Sequence, residues 1–271
     1  MSEASTPKNE EPQEDSQEKP QENSKAPHTQ HLGLAGKISR LWAILTGKNL
    51  EARKVFIDYH LIRRKYVLSR VSAHYGIDKY EPAPLLNKTL LDIGCGTNRI
   101  AQELALRGAN CLAIDKSHDV VRNARDSAEK YGAPVIFVQG DAEALVQDKA
   151  QYDIILCLDV LEESDDPDKL LWACKKMLKR DGIVIFSSTI CSPASWFYHK
   201  VLGEWVLKWL PKGTYKHTPF VKHSHLLTLF EKHGFAIPQK TGVRFCPFTE
   251  TWYKSEKENL KLMGVATPKK S

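Results

Sequence analysis

No apolar run in this 271-residue sequence approaches the roughly 20 residues that a membrane-spanning helix needs, so a chain that does not cross a bilayer is expected. The six cysteines, Cys95, Cys111, Cys157, Cys174, Cys191 and Cys246, include no C-x-x-C pair and have no histidine at zinc-ligand spacing. That absence speaks against a thiolate metal centre or a disulfide framework and for reduced thiols in a reducing compartment. Neither an apolar signal-peptide core nor the acid-poor composition of a mitochondrial presequence is visible at the start, and no internal repeat is found. The first thirty residues nearly lack apolar side chains and carry Glu10, Glu11, Glu14, Asp15, Glu18 and Glu22, which predicts a disordered acidic tail over 1–31. Because the whole chain is nonetheless +6, the remainder is more basic than the total suggests. Such a balance suits an anionic partner, a lipid surface, a nucleic acid or an acidic substrate, without choosing among them.

What is present begins near Leu34. Ile38, Leu41, Trp42 and Leu45 recur at i, i+3, i+4 and i+7 beside Lys37, Arg40 and Lys48, which predicts a basic amphipathic helix over 32–49. A second helical pattern runs through Val55, Tyr59, Ile62 and Tyr66, and a connector with Pro82 and Pro84 leads into the first strand, so the folded domain spans 50–271. From residue 88 short apolar runs alternate with helical stretches: TLLDIG, a helix from about Arg99, NCLAID, a helix through Val120 and Ala124, PVIFVQGD, YDIILCLDVL, a helix near Leu170 to Leu178, and GIVIFSST. Alternation of this kind predicts an α/β, Rossmann-like fold: a mostly parallel central sheet with helices on both faces.

Three of those strands end in residues with chemical meaning. The first closes in Asp92-Ile93-Gly94-Cys95-Gly96; glycines at a strand-to-helix turn let a ligand approach backbone where a side chain would collide. Asn98 stands where a third glycine is usual and tolerates left-handed dihedrals. The second ends in Asp115, placed to accept hydrogen bonds from ribose hydroxyls, and the third in Gly140-Asp141-Ala142, where a carboxylate can receive an adenine amino group. Those three strand ends in that order resemble the class I methyltransferase fold from about residue 88 to 190. A nicotinamide dehydrogenase, the rival on a related sheet, wants three glycines around a pyrophosphate.

After the fourth strand comes Leu158-Asp159-Val160-Leu161-Glu162-Glu163-Ser164-Asp165-Asp166-Pro167. If the backbone turns helically there, Asp159, Glu162 and Glu163 share a face, and an all-oxygen set suits a divalent metal such as Mg²⁺ or Mn²⁺. The alternative is a solvated acidic loop that caps the next helix through Asp165 or Asp166. Further on, Leu202, Trp205, Val206, Trp209 and Leu210 lie on one helical face, with Lys200, Glu204 and Lys208 opposite. Such a helix within Trp196 to Lys216 fits a membrane interface or a buried substrate lid, in an insertion at about 192–220.

The segments Ser-x-x-Ser-Trp, Gly-Glu-Trp-Val-Leu, Leu-Pro-Lys-Gly-Thr, Phe-Val-Lys and the closing Gly-Val…Pro…Trp…Met-Gly resemble the ubiquinone-biosynthesis O-methyltransferases, which methylate polyprenyl catechols and demethylubiquinol. The likeness runs, with gaps, from about residue 60 to the end. It implies S-adenosylmethionine as cofactor, a polyprenylated catechol or quinol as substrate, and cofactor contacts at Arg63, Gly94, Asp115 and Leu158, beside Asp92, Gly96 and Asp141 from the motifs. It also implies a Mg²⁺ or Mn²⁺ site at Asp159, Glu162 and Glu163, with Asp159 and Glu163 catalytic. Two of the three differ from the family's Glu, Glu and His, and the family's Trp-Trp-Asp segment before the arginine is missing. A methyltransferase for another phenol or lipid-like acceptor and a non-catalytic scaffold remain alternatives. The expected partners are an anionic membrane surface, bound peripherally, and other quinone-biosynthesis enzymes, with no nucleic acid. The expected location is cytoplasmic on the inner membrane, or the matrix side in a eukaryote.

Overall fold

The computed structural model describes residues 52–78, 80–96, 99–192, 222–246, 249 and 251–269. The expected acidic tail, the basic helix over 32–49 and, apart from Ser192, the insertion with its tryptophan helix lie outside the described residues, as does Asn98.

Helix α1 (Ala52–Tyr75) opens the described chain. Its Tyr59, Tyr66, Val67 and Val71 are buried at helical spacing, and Arg63, only 4% exposed, falls in the same stripe. A guanidinium on an apolar stripe must find a counter-charge; its partner proves to be a residue 96 positions away. There follow β1 (Thr89–Ile93), α2 (Ile100–Ala105), β2 (Asn110–Asp115), α3 (His118–Lys130), β3 (Val135–Gln139), α4 (Ala142–Leu145), β4 (Tyr152–Leu158), α5 (Pro167–Met177) and β5 (Leu178–Thr189). Helix α6 (His223–Lys232) precedes an antiparallel finish of β6 (Phe235–Cys246), β7 (Thr251–Ser255) and β8 (Lys261–Pro268).

The eight strands form one sheet in the order β3-β2-β1-β4-β5-β8-β6-β7. The first five are mutually parallel, and β8 inserts antiparallel beside β5. Strand side chains alternate between two cores. Leu90, Ile154, Leu156 and Ile183 face α1 and α2, while Leu91, Ile155, Cys157 and Val184 face α5 and α6. A smaller cluster seats α3 on Ala113 and Phe137. Helices therefore cover both faces, as the alternation predicts, and this also explains why the central strands are continuously apolar. The chain reverses direction across the sheet between β1 and β4, which opens a crevice at the carboxyl ends of the strands.

Candidate active site

At that crevice a cavity of about 360 Å³ is lined by residues from every neighbouring strand end, among them Arg63, Gly94, Gly96, Asp115, Asp141, Leu158, Asp159 and Glu163. Gly94 has φ +62°, and a Cβ placed on it would come within 2.6 Å of Val160 Cγ2, so both dihedral and space demand glycine. The turn directs the Gly96 N–H at Asp115, whose Oδ2 accepts it at 3.1 Å, while Oδ1 accepts the Ser117 N–H at 3.0 Å. The Asp115 carboxylate is thereby held at the cavity wall. Asp141 precedes α4 and pairs with Lys116 Nζ at 3.0 Å. A bare glycine cradle beside an oriented carboxylate, with a second carboxylate one strand further, fits a nucleoside with ribose at Asp115 and base at Asp141.

The other end of the cavity is built around Asp159. It follows β4 with φ +61°, a left-handed conformation that aspartate tolerates better than most residues. Its Oδ2 accepts from Arg63 Nη1 at 2.8 Å, and its Oδ1 accepts from Ser187 Oγ at 2.8 Å and Lys261 Nζ at 3.3 Å. The Tyr59 hydroxyl donates to the same carboxylate from 3.0 Å. Burial opposes ionisation, but Lys261 and Arg63 outweigh it and hold Asp159 well below the usual carboxylate range. Burial, reinforced by Asp159, pushes the Tyr59 phenol up to about 12. Arg63 Nη2 lies 2.8 Å from His60 Nδ1; since arginine can only donate, Nδ1 accepts and a neutral ring carries its proton on Nε2. Burial and then Arg63 lower the His60 pKa to about 4, so the imidazole is neutral near pH 7.

Of the expected site residues, Asp92 and Glu162 do not line the cavity. Asp92 is fully buried, neither of its oxygens has a hydrogen-bond partner among the described residues, and burial raises it to about 7. Glu162 turns inward, where Oε1 accepts the Thr189 N–H at 2.8 Å, and burial followed by Asp159 raises it to about 7. Glu163 does face the cavity, its pKa raised by burial and then by Asp159.

The helical face expected for the metal set does not form. Residues 161–163 form a turn and α5 starts only at Pro167, so Asp159, Glu162 and Glu163 share no helical face. Among the described residues no group of three or more His, Cys, Asp or Glu is arranged to hold a metal ion. Asp159 is enclosed by donors, two of them cations, and Glu162 points away; the residues present do not fit a divalent ion. The alternative of a capping loop is what Asp166 adopts, its Oδ1 accepting the Lys169 N–H at 3.0 Å. Sequence reasoning missed Tyr59, His60, Ser187 and Lys261. Tyr59 and His60 stand one turn before Arg63, and Lys261 is a charge opening the apolar strand KLMGVA; both were visible signals.

A general methyltransferase-domain family model matches residues 91–186. The ubiquinone biosynthesis O-methyltransferase of Dinoroseobacter shibae is 36% identical over 73% of this chain and 79% of its own length. Its namesake in Chelativorans sp. is 31% identical over 77% and 82%. Among solved structures, the magnesium protoporphyrin IX methyltransferase of Synechocystis PCC 6803 with bound SAH superposes with TM-score 0.60 at 19% identity, covering 85% of this chain and 94% of that one. An S-adenosylmethionine-dependent methyltransferase of Clostridium acetobutylicum gives 0.56 at 14%, over 88% and 100%. The structures speak for the fold and the sequence relatives for the lineage: the chain belongs to the ubiquinone biosynthesis O-methyltransferase family, S-adenosylmethionine-dependent enzymes on the class I methyltransferase fold.

Proposed function

We propose that the chain transfers a methyl group to a ring hydroxyl of a polyprenylated catechol or demethylubiquinol. The observation that carries this reading is a cavity with a nucleoside cradle at Asp115 and Asp141 and the Arg63–Asp159 ion pair at its other end, in a chain of this family. Bound S-adenosylmethionine supplies an electrophilic sulfonium methyl. Gly94, Gly96, Asp115, Asp141 and Leu158 hold and orient it. Arg63 stands at the junction of the two ends, with Nη1 and Nη2 engaged and Nε without a partner.

The acceptor oxygen attacks in line, so alignment and stabilisation of the developing phenolate are the protein's main tasks. Glu163, the carboxyl group facing the cavity with a raised pKa, receives the hydroxyl proton. Asp159 is too strongly stabilised as an anion to serve as that base. No step is routed through a metal, because the donor set does not fit one. The test is methyl transfer from labelled S-adenosylmethionine to a short-chain demethylubiquinol analogue, with Glu163→Gln as comparison. Labelled methoxy product that falls about 100-fold in the variant supports the reading; cofactor binding without transfer to any catechol or quinol overturns it.

The same reading places the protein peripherally on an anionic membrane, on the cytoplasmic face of the inner membrane or the matrix side in a eukaryote, where other quinone-pathway enzymes work. Its support is the polyprenyl tail of such a substrate and the aromatic-basic segments 38–48 and 196–216 in the sequence; no described helix is long and apolar enough to cross a membrane. Sedimentation with anionic vesicles should weaken with salt and vanish in Trp205→Glu with Trp209→Glu. Equal sedimentation of that double variant counts against attachment through the 196–216 segment.

A further inference from the structure

We propose that Lys261 and Arg63 together close the Asp159 cluster to a divalent metal ion, so that methyl transfer by this chain is independent of divalent metal. The proposal rests on the O-methyltransferase reading for the reaction it assists, but its central claim concerns what the cluster can bind. Lys261 opens β8 directly opposite Thr189 of β5 in the antiparallel register. It is 8% exposed, and its Nζ donates to Thr189 Oγ1 at 2.9 Å and Asp159 Oδ1 at 3.3 Å. The same ammonium lies 4.6 Å from the centre of the Tyr59 ring, a favourable seat for a cation. An ammonium is buried at such cost only where it is paired, and here hydroxyl, carboxylate and aromatic face converge on it from three elements.

The arrangement excludes a metal in two ways. Each Asp159 oxygen already accepts from a tethered cation, and a divalent ion would have to displace them. It would also enter beside two like charges in a weakly screened place, where repulsion is strong. Arg63 and Lys261 share the Asp159 carboxylate, and Lys261 also acts on Glu162 and Glu163. Lys261 does not itself line the cavity, whereas Asp159 and Arg63 do. It is therefore a positioning residue, acting through Asp159 and Tyr59.

Mn²⁺ titration of the full-length protein, followed by electron paramagnetic resonance, decides the binding claim whether or not a catechol is turned over. The expected result is no bound Mn²⁺; a stoichiometric Mn²⁺ site that Asp159→Asn removes overturns the proposal. With a short-chain catechol, activity should be unchanged by excess chelator. Lys261→Met should lose about tenfold or more in kcat/KM for the catechol, with cofactor affinity within about threefold, and Lys261→Arg should recover most of the loss. The acid limb of the kcat/KM profile should also move to higher pH in Lys261→Met, because the base Glu163 loses a cation that lowers its pKa. Activity that disappears with chelator and returns with Mg²⁺ or Mn²⁺ overturns the proposal and leaves the O-methyltransferase reading standing. Should Lys261→Met fail to fold by circular dichroism, Lys261→Arg decides the catalytic part: a profile unlike the parent's contradicts a role based on charge.

Discussion

The two ends of the cavity are made differently. At the cofactor end, glycine backbone and a partly exposed carboxylate are positioned by short local connections: Asp115 is held by amides of residues 96 and 117. At the acceptor end, Asp159 is held by side chains 28, 96, 100 and 102 positions away, from α1, β5 and β8. The first end is a turn that any strand of the right pattern can make. The second exists only when four distant elements are packed together. Under the proposed function, cofactor binding and acceptor chemistry therefore have separate structural supports, and damage to one should leave the other partly intact.

The comparison breaks most visibly at Asp159. Asp159→Ala removes the carboxylate that Arg63 and Lys261 share and should cost about 3–5 kcal/mol of stability, read as a fall in the urea midpoint; a loss below about 1 kcal/mol would make the cluster ornamental. Next comes Asp115→Ala, which should weaken S-adenosylmethionine binding by about 1–3 kcal/mol while the fold survives, measured by isothermal titration. Equal affinity would remove Asp115 from the site. Gly94→Ala imposes a side chain on a left-handed residue and on Val160, at about 1–2 kcal/mol of strain, and should lower cofactor affinity with little change in the Mn²⁺ result. If it instead disturbs the pH profile of methyl transfer, the two ends are more closely coupled than their contacts indicate.

The remaining test is one of pH. Burial lifts Asp92 from 3.8 and Glu162 from 4.5, each to about 7. Between those limits the folded chain binds more protons than the unfolded chain, so this contribution to stability falls as pH rises from about 4 to about 7. Each group contributes a slope of at most about 1.4 kcal/mol per pH unit. Asp92→Asn and Glu162→Gln should flatten the dependence of the melting temperature on pH in that window; an unchanged slope in both variants contradicts the account. The paired carboxylate Asp159 works in the opposite sense, its contribution being lost only as pH falls below the usual carboxylate range.

The alternation of apolar runs from residue 88 to 189 was sufficient to predict the parallel strands and the helices on both faces, because period and composition are local properties. The helix expected near Leu170 to Leu178 runs from Pro167 to Met177, started by the Asp166 cap, a small displacement of the same element. Gly94, Gly96, Asp115 and Asp141 were legible for the same reason: each sits at a strand end that its own neighbours define. The antiparallel β6, β7 and β8 carried no comparable signal, since their pairing depends on contacts across the sheet edge.

Sequence by itself therefore determined the lineage, the parallel core and the cofactor cradle. Where Asp159, Glu162 and Glu163 point depends on packing that the sequence does not display. Their spacing suited a metal on a helical face, but the backbone there forms a turn that sends Glu162 inward to Thr189 and leaves Glu163 at the cavity. Asp159, meanwhile, meets Arg63 and Lys261, drawn from opposite ends of the domain. A charge is legible along a chain, but its counter-charge is chosen by packing, and in a buried site that choice separates a metal ligand from an ion-pair anchor.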